Sequence, residues 1–283
     1  MDQRIINLYD EYTHRPLSRD QFIKKLVLLT GSMAAAMGVL PMLEGTYAVA
    51  QTSPTADLFT ERVNYPVEGG QMKAYVARPI AVKPYAAVIV IHENRGLNPH
   101  IEDVTRRAAE AGFLAIAPDA LSLLGGTPAN EDEARAMFAK LDMPATISSF
   151  AATLPYLRQR KDCNGNIGCV GFCWGGAMAN NLAVSVPELK AAVAFYGRQP
   201  DAAQVGKIKA AVQLHYAGLD ERVNAGKDIY EQALKANNIR YESYLYEGVN
   251  HAFHNDTSAA RYNEAAAKLA WGRTIDFFRT YLA

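Results

Sequence analysis

The stretch Gly171-Phe172-Cys173-Trp174-Gly175-Gly176 narrows the choice of fold more than any other part of the chain. Before it, Asn166-Ile167-Gly168-Cys169-Val170 is short, apolar and bounded by glycine, which reads as a buried strand. After it, Ala177 to Val184 is rich in alanine and reads as helix. A strand that turns straight into a helix through glycine, a nucleophile and paired glycines is the Gly-x-Ser-x-Gly elbow, here with cysteine in the serine position. Such a turn is strained, so its glycines must let backbones pass closely, and the nucleophile is left at the tip. With the helix beginning at Trp174, its free N–H groups and positive dipole end face Cys173 and favour an anion there. Alone, the six residues also fit a buried structural cysteine on a glycine-rich turn. The rest of the chain has to decide.

From about Phe59 onward the pattern alternates between strand and helix. Met72–Arg78 alternates as an early strand, and Ala86–Ile91 is an unbroken apolar run of the kind found in a parallel strand covered on both faces. A helix near Ile101–Ala111 and a strand at Phe113–Ala117 follow, then helices at Glu131–Leu141 and Ile147–Arg160. After the elbow come strands at Ala191–Tyr196, Ala211–His215 and Tyr241–Tyr246, a helix at Ala225–Asn237 and a closing helix at Ala259–Tyr281. This order predicts an α/β fold, a mostly parallel central sheet with helices on both faces. Ligands of such sheets sit beyond the carboxyl ends of the strands, so the residues just after each strand are the informative ones.

Three strand ends carry matching chemistry. Cys173 follows strand 166–171, Asp220 follows strand 211–215, and His251 follows strand 241–246. Nucleophile, acid and histidine in that order are the α/β-hydrolase arrangement. A thiol needs a base within reach, and the base needs an acid to fix its tautomer. An isolated Asp220 would read as a loop acid and an isolated His251 as a hydrogen-bonded loop histidine. Their joint order at three strand ends argues for a triad. The N–H of Trp174 and that of Asn94, in the loop after strand 86–91, are the expected oxyanion donors. Glu93 lies in that loop, placed to act on Cys173 or to pair with Arg95.

The charge balance of 29 basic and 29 acidic residues points to no nucleic-acid partner. Three cysteines (Cys163, Cys169 and Cys173) are too few and too clustered for a disulfide framework, although a Cys163–Cys169 bridge is conceivable. The absence of any C-x-x-C also weighs against a redox protein using Cys169 and Cys173. His251-x-x-His254 lacks further ligands at fitting spacing, so no metal and no cofactor are expected.

Taken together, Gly171–Gly176, the Glu93 loop, the Asp220 turn and Asn250-His251-Ala252-Phe253 resemble the dienelactone hydrolase (carboxymethylenebutenolidase) family, from about Phe59 to the C-terminus. The resemblance implies a cysteine hydrolase of cyclic enol esters with Cys173, Asp220 and His251 as triad. It further implies that Glu93 holds the resting thiol aside until substrate displaces it. The family's carboxylate-binding arginines are not matched here: Phe253-His254-Asn255-Asp256 has none, and Arg135 is a turn away from the position in helix 131–141. Arg95, Arg135 and Arg198 are the substitutes expected to supply positive charge, and Trp174, Tyr196 and Phe253 the expected apolar lining. The expected substrate is a small ester or lactone. The competing reading is a non-catalytic protein of the same fold that binds a small molecule or partner.

Residues 1–57 form an addition to the 58–283 domain. Ser18 with Gln21 makes a capping box, and Leu26–Leu43 is strongly apolar. Two readings compete. Ser18–Lys24 resembles a twin-arginine export signal with Asp20 in the place of the second arginine, and Ala48-Val49-Ala50 offers a cleavage site before Gln51, which would make the protein periplasmic. The favoured expectation is a retained helix in a cytoplasmic protein, packed on the body or on a second subunit as a homodimer. Pro41 and Glu44 argue against a membrane span.

Overall fold

A computed structural model describes residues 1–44 and 56–283. The proposed cleavage site and most of the Gln51–Asp57 linker lie outside the described residues. Three helices open the chain: α1 (Gln3–His14), α2 (Arg19–Thr30) and α3 (Met33–Glu44). The main body then runs β1 (Leu58–Val67), β2 (Gly70–Pro79), β3 (Tyr85–Ile91), α4 (Pro99–Glu110), β4 (Leu114–Pro118), α5 (Glu131–Phe138), α6 (Met143–Ala151) and α7 (Thr153–Arg158). It continues through β5 (Cys163–Phe172), α8 (Trp174–Ser185), β6 (Ala191–Phe195), β7 (Ala211–Ala217), α9 (Glu221–Asn224), α10 (Lys227–Ala236), β8 (Tyr241–Tyr246) and α11 (Glu264–Tyr281).

All eight strands form one sheet, in the order β1-β2-β4-β3-β5-β6-β7-β8. β1 pairs antiparallel with β2, and β2 with β4; every later pair is parallel. The alternation of side chains along β3 explains the two layers of helices. Ala87, Ile89 and Ile91 pack with Phe150 of α6, Met178 and Leu182 of α8 and Leu234 of α10. Val88 and Val90 face the other way, toward Ile101 and Val104 of α4 and Phe277 of α11. This is the mostly parallel sheet with helices on both faces expected from the alternation of elements.

Cys163 and Cys169 lie six residues apart on β5, an extended separation of roughly 20 Å. A bridge between them is ruled out by that geometry, and all three cysteines are free thiols.

The N-terminal segment is helical, as three helices rather than one. The capping box at Ser18 starts α2, and Gly31, with φ 81°, ends it in a left-handed cap. α2 and α3 meet at a bend of 113°, and no single helix among the described residues is long and apolar enough to cross a membrane. Ile5, Leu8, Tyr9 and Tyr12 of α1 are buried against Phe22, Leu26, Leu40 and Leu43. Polar contacts fix this small cluster to the body: Tyr12 Oη donates to Asp132 at 2.5 Å, Arg19, which also pairs with Glu44 of α3, meets Asp132 at 2.6 Å, and Ser258 Oγ donates to Leu43 O at 3.1 Å. The segment thus packs on its own chain.

Candidate active site

β3, β5, β6, β7 and β8 end in register: Ile91 pairs with Gly171, Phe172 with Phe195, Phe195 with His215 and Ala217 with Tyr246. The residues after each strand therefore meet at one rim. Cys173 sits there as N-cap of α8, with φ 55° and ψ −110°. Tyr196, after β6, has φ 38°, and Ala252, next to His251, has φ 63°. Three side-chain-bearing residues in this disfavoured region, each costing roughly 1–3 kcal/mol, surround one sulfur. Close backbone packing holds the turn: a Cβ on Gly171 would lie 1.8 Å from Gly175 O, and one on Gly175 would lie 2.3 Å from Ile91 O. Only glycine fits at either position.

Asp220 caps α9 through Oδ1, which accepts the Val223 N–H at 3.1 Å. Its other oxygen, Oδ2, lies 2.5 Å from His251 Nδ1. Arg222 flanks the pair, 3.8 Å from Asp220 Oδ2 and 3.4 Å from His251 Nδ1. Burial works against charge on Asp220, but His251 and Arg222 outweigh it and hold the carboxyl at about 2. Burial likewise opposes a charged His251; once Cys173 has lost its proton, the negative sulfur and Asp220 prevail and push the imidazole up to about 10. His251 Nε2 is buried and has no partner. Tyr196 Oη and Glu93 Oε1 are in the same condition. Buried polar atoms are nearly always paired, so unpaired ones at a rim of strand ends mark where a reacting molecule binds.

A residue unforeseen from the sequence joins them. His14, the last residue of α1, places Nε2 3.2 Å from Cys173 Sγ. The sulfur and one ring nitrogen from each of His14 and His251 all lie within 4.8 Å of one another. No other group of three histidine, cysteine or acidic donors gathers this closely among the described residues. His254 does not join His251; its ring stacks on Phe172 at 4.9 Å between centroids.

The remaining sequence candidates divide. Trp174, Asn94, Arg135, Tyr196 and Arg198 line a cavity of about 580 Å³ that opens on Cys173, together with Arg15, Leu17, Phe138 and Arg222. The Trp174 ring stacks on His92 (5.6 Å, 10°), which ties the β3 loop to the elbow. Arg135 is largely committed, since it covers the Tyr12 ring at 3.9 Å and donates to Tyr12 O. Arg95 does not reach the cavity: it is buried and paired with Glu131 at 3.6 Å, joining the β3 loop to α5. Phe253 is core, fully buried against Phe195, Tyr196 and Tyr246. Glu93 Oε2 accepts from Asn255 Nδ2 at 2.8 Å, and the carboxylate borders a second, polar cavity of about 30 Å³ behind the sulfur.

Relatives agree with this architecture. The family model described as the dienelactone hydrolase family matches residues 72–282. A relative from Synechocystis sp. is 32% identical over 252 positions, covering 81% of this chain and 99% of its own. One from Methylorubrum extorquens is 29% identical over 287 positions, covering 94% of this chain and 96% of its own, so that likeness extends into the N-terminal segment. Both bear the name "Putative carboxymethylenebutenolidase". The crystal structure of a dienelactone hydrolase from Anabaena variabilis superimposes with a TM-score of 0.64 at 20% identity, covering 80% of this chain and all of its own, a likeness of fold. With a match over most of its length and an elbow, sheet and rim of the corresponding kind, the chain belongs to the dienelactone hydrolase family, enzymes that hydrolyse ester or lactone bonds.

Proposed function

We propose that the protein is a cysteine hydrolase of esters or lactones that works through a thioester on Cys173. The observation that carries this reading is the Asp220–His251 contact of 2.5 Å, which leaves the far nitrogen of a buried imidazole unpartnered beside a thiol on a strained turn. In the proposed reaction the S–H proton passes to His251 Nε2 while sulfur bonds to the carbonyl carbon. Asp220 keeps the Nδ1 proton in place and stabilises the imidazolium. The backbone N–H groups of Trp174 and Asn94 receive the oxyanion, a contribution worth about 10²–10³ in rate per donor. His251 then protonates the leaving oxygen and, as base, activates the water that cleaves the thioester. Where that leaving oxygen belongs to a lactone, the ring opens and both halves stay joined.

Mixing the enzyme with p-nitrophenyl acetate and quenching early tests the reading. One acetyl group on the peptide carrying Cys173 is expected; turnover with no adduct there under any quench, or an adduct on another residue, would refute it.

Arg15, Arg198 and Arg222 are exposed cations at the mouth of the cavity, beside the apolar walls of Leu17, Phe138 and Trp174. That pairing suits a substrate with an apolar body and an anionic end. Arg198→Ala is expected to raise KM about tenfold more for a carboxylate-bearing lactone than for its methyl ester, the weight of one charge-assisted hydrogen bond. Equal changes for both would remove Arg198 from substrate binding.

A further inference from the structure

Two imidazoles flank the Cys173 sulfur, and they are not equivalent. His251 is backed by a carboxylate, Asp220. His14 is backed by a carbonyl: Nδ1 lies 2.9 Å from Asp10 O. Thr13 Oγ1 is also 3.0 Å from Nδ1, and its own hydrogen goes to Asp10 O at 3.1 Å. Both neighbours of Nδ1 therefore accept, so Nδ1 carries the hydrogen and Nε2 turns a bare lone pair toward the sulfur. Burial, reinforced by the positive charge of Arg222, holds His14 well below the ordinary imidazole range and keeps it neutral. A lone pair in that position accepts from a thiol and repels a thiolate.

We propose that His14 is the resting partner of the Cys173 thiol: it accepts the S–H, keeps the sulfur neutral between turnovers, and makes the N-terminal helix a working part of the active site. The role is that of a positioning residue, and it rests on Cys173 being the nucleophile. When substrate fills the cavity, the S–H bond breaks, the proton goes to His251 Nε2, and the sulfur electron pair forms the C–S bond. His14 neither gains nor loses a proton. The family resemblance implies that Glu93 holds the resting thiol; its Oε2 accepts from Asn255 Nδ2, and the side chain within hydrogen-bond reach of the sulfur is His14.

The placement of His14 is anchored at several points. Gln3 Nε2 donates to Asn250 Oδ1 at 2.5 Å, next in sequence to His251. Asn94 Nδ2 donates to Thr13 O at 2.9 Å, and Arg261 meets both Asp10 (3.4 Å) and the Tyr9 ring (4.9 Å). The rings of His14 and His251 meet edge to face with centroids 4.7 Å apart. The charged and titratable groups around the sulfur are thus Tyr9, His14 and Arg15 at α1, Glu44 of α3, Glu93 and Arg95 after β3, Glu131 and Arg135 of α5, Tyr196 and Arg198 after β6, Arg222 at α9 with Asp220 behind His251, His251 after β8 and Arg261 ahead of α11. Of these, His14 alone offers a neutral acceptor fixed in one tautomer.

The test is the pH profile of iodoacetamide alkylation in the full-length protein, read on the Cys173 peptide so that Cys163 does not interfere. Wild type is compared with His14→Ala, His14→Phe and His14→Gln. Alanine opens space around the sulfur, whereas phenylalanine keeps a ring there and removes only the acceptor. Access alone changes the rate but not the midpoint of the profile. Both substitutions are expected to move the midpoint to lower pH and to speed alkylation at neutral pH by about tenfold, the effect of one lost hydrogen bond. His14→Gln, whose amide oxygen accepts the same S–H, is expected to stay near wild type. If His14→Ala does not fold, the comparison of Phe with Gln decides alone. Midpoints that stay fixed or move upward in the Ala or Phe variant would overturn the inference. Acetylation of a residue other than Cys173 would instead overturn the proposed function, so the two failures are told apart.

Discussion

Cys173→Ala is expected to bring hydrolysis of p-nitrophenyl acetate down by about 10⁴-fold or more, to the level left by binding and oxyanion stabilisation alone. The far-UV circular dichroism spectrum and the melting temperature are expected to stay close to wild type. The turn is held by the close approach of Gly171 to Gly175 and of Gly175 to Ile91, and by the Cys173 N–H, which donates to Phe195 O at 3.0 Å. None of these involves the sulfur. Alanine at φ 55° meets the same strain as cysteine, so the elbow keeps its shape and loses only its sulfur. A pure sample of Cys173→Ala that keeps more than a hundredth of wild-type activity would show that another group attacks. A non-catalytic binder would give wild type and variant the same background rate, so one measurement separates the two readings.

Much of the body is legible in the sequence because its strands are buried on both faces. Ala86–Ile91 and Ala191–Tyr196 are continuous apolar runs with no other use than a covered sheet, and both appear nearly as read. β1 is illegible in the sequence for the opposite reason. It lies at the edge of the sheet, its side chains are mostly half-buried or exposed, and no apolar run announces it. α1 is hidden likewise: its buried stripe of Ile5, Leu8, Tyr9 and Tyr12 is interleaved with polar residues and finds its partners only in α2, α3 and the body. Boundaries moved where backbone chemistry overrode hydrophobicity. The helix read as Ile147–Arg160 divides into α6 and α7, the second carrying Pro155 within it, and α6 starts four residues earlier because Asp142 caps it. The closing helix starts at Glu264, where Asn263 caps it, rather than at Ala259.

The site divides along the same line. Cys173, Asp220 and His251 could be picked out because a parallel sheet brings its strand ends together, so order along the chain becomes neighbourhood in space. His14 lies 159 positions from Cys173 and follows no strand. Its arrival depends on how three short helices dock on the rim, and no local pattern encodes that. The arginines show the limits of type without position. Arg95, next to the oxyanion loop, is spent on Glu131, and Arg135 on Tyr12, while Arg222 faces the cavity unannounced.

Asp220→Asn is expected to lower kcat by about 10⁴-fold without changing the fold. Asparagine fills the same space and can still cap α9 through its oxygen. Its amide group, however, donates where Asp220 Oδ2 now accepts from His251 Nδ1 at 2.5 Å. The imidazole then moves its hydrogen to Nε2, the nitrogen that takes the proton from sulfur in the proposed reaction. A base becomes a donor, and attack loses its proton acceptor. The same substitution makes a prediction about stability. Asp220 sits at about 2 in the folded protein against an ordinary 3.8, so its contribution is present above pH 3.8 and is lost as pH falls through 2. The gap in unfolding free energy between wild type and Asp220→Asn, on the order of 2 kcal/mol, should therefore be full above pH 3.8 and close as pH falls through 2. Urea titrations across that range measure it. A gap that does not depend on pH, together with a kcat within tenfold of wild type, would mean that the carboxylate neither orients the imidazole nor bears its charge.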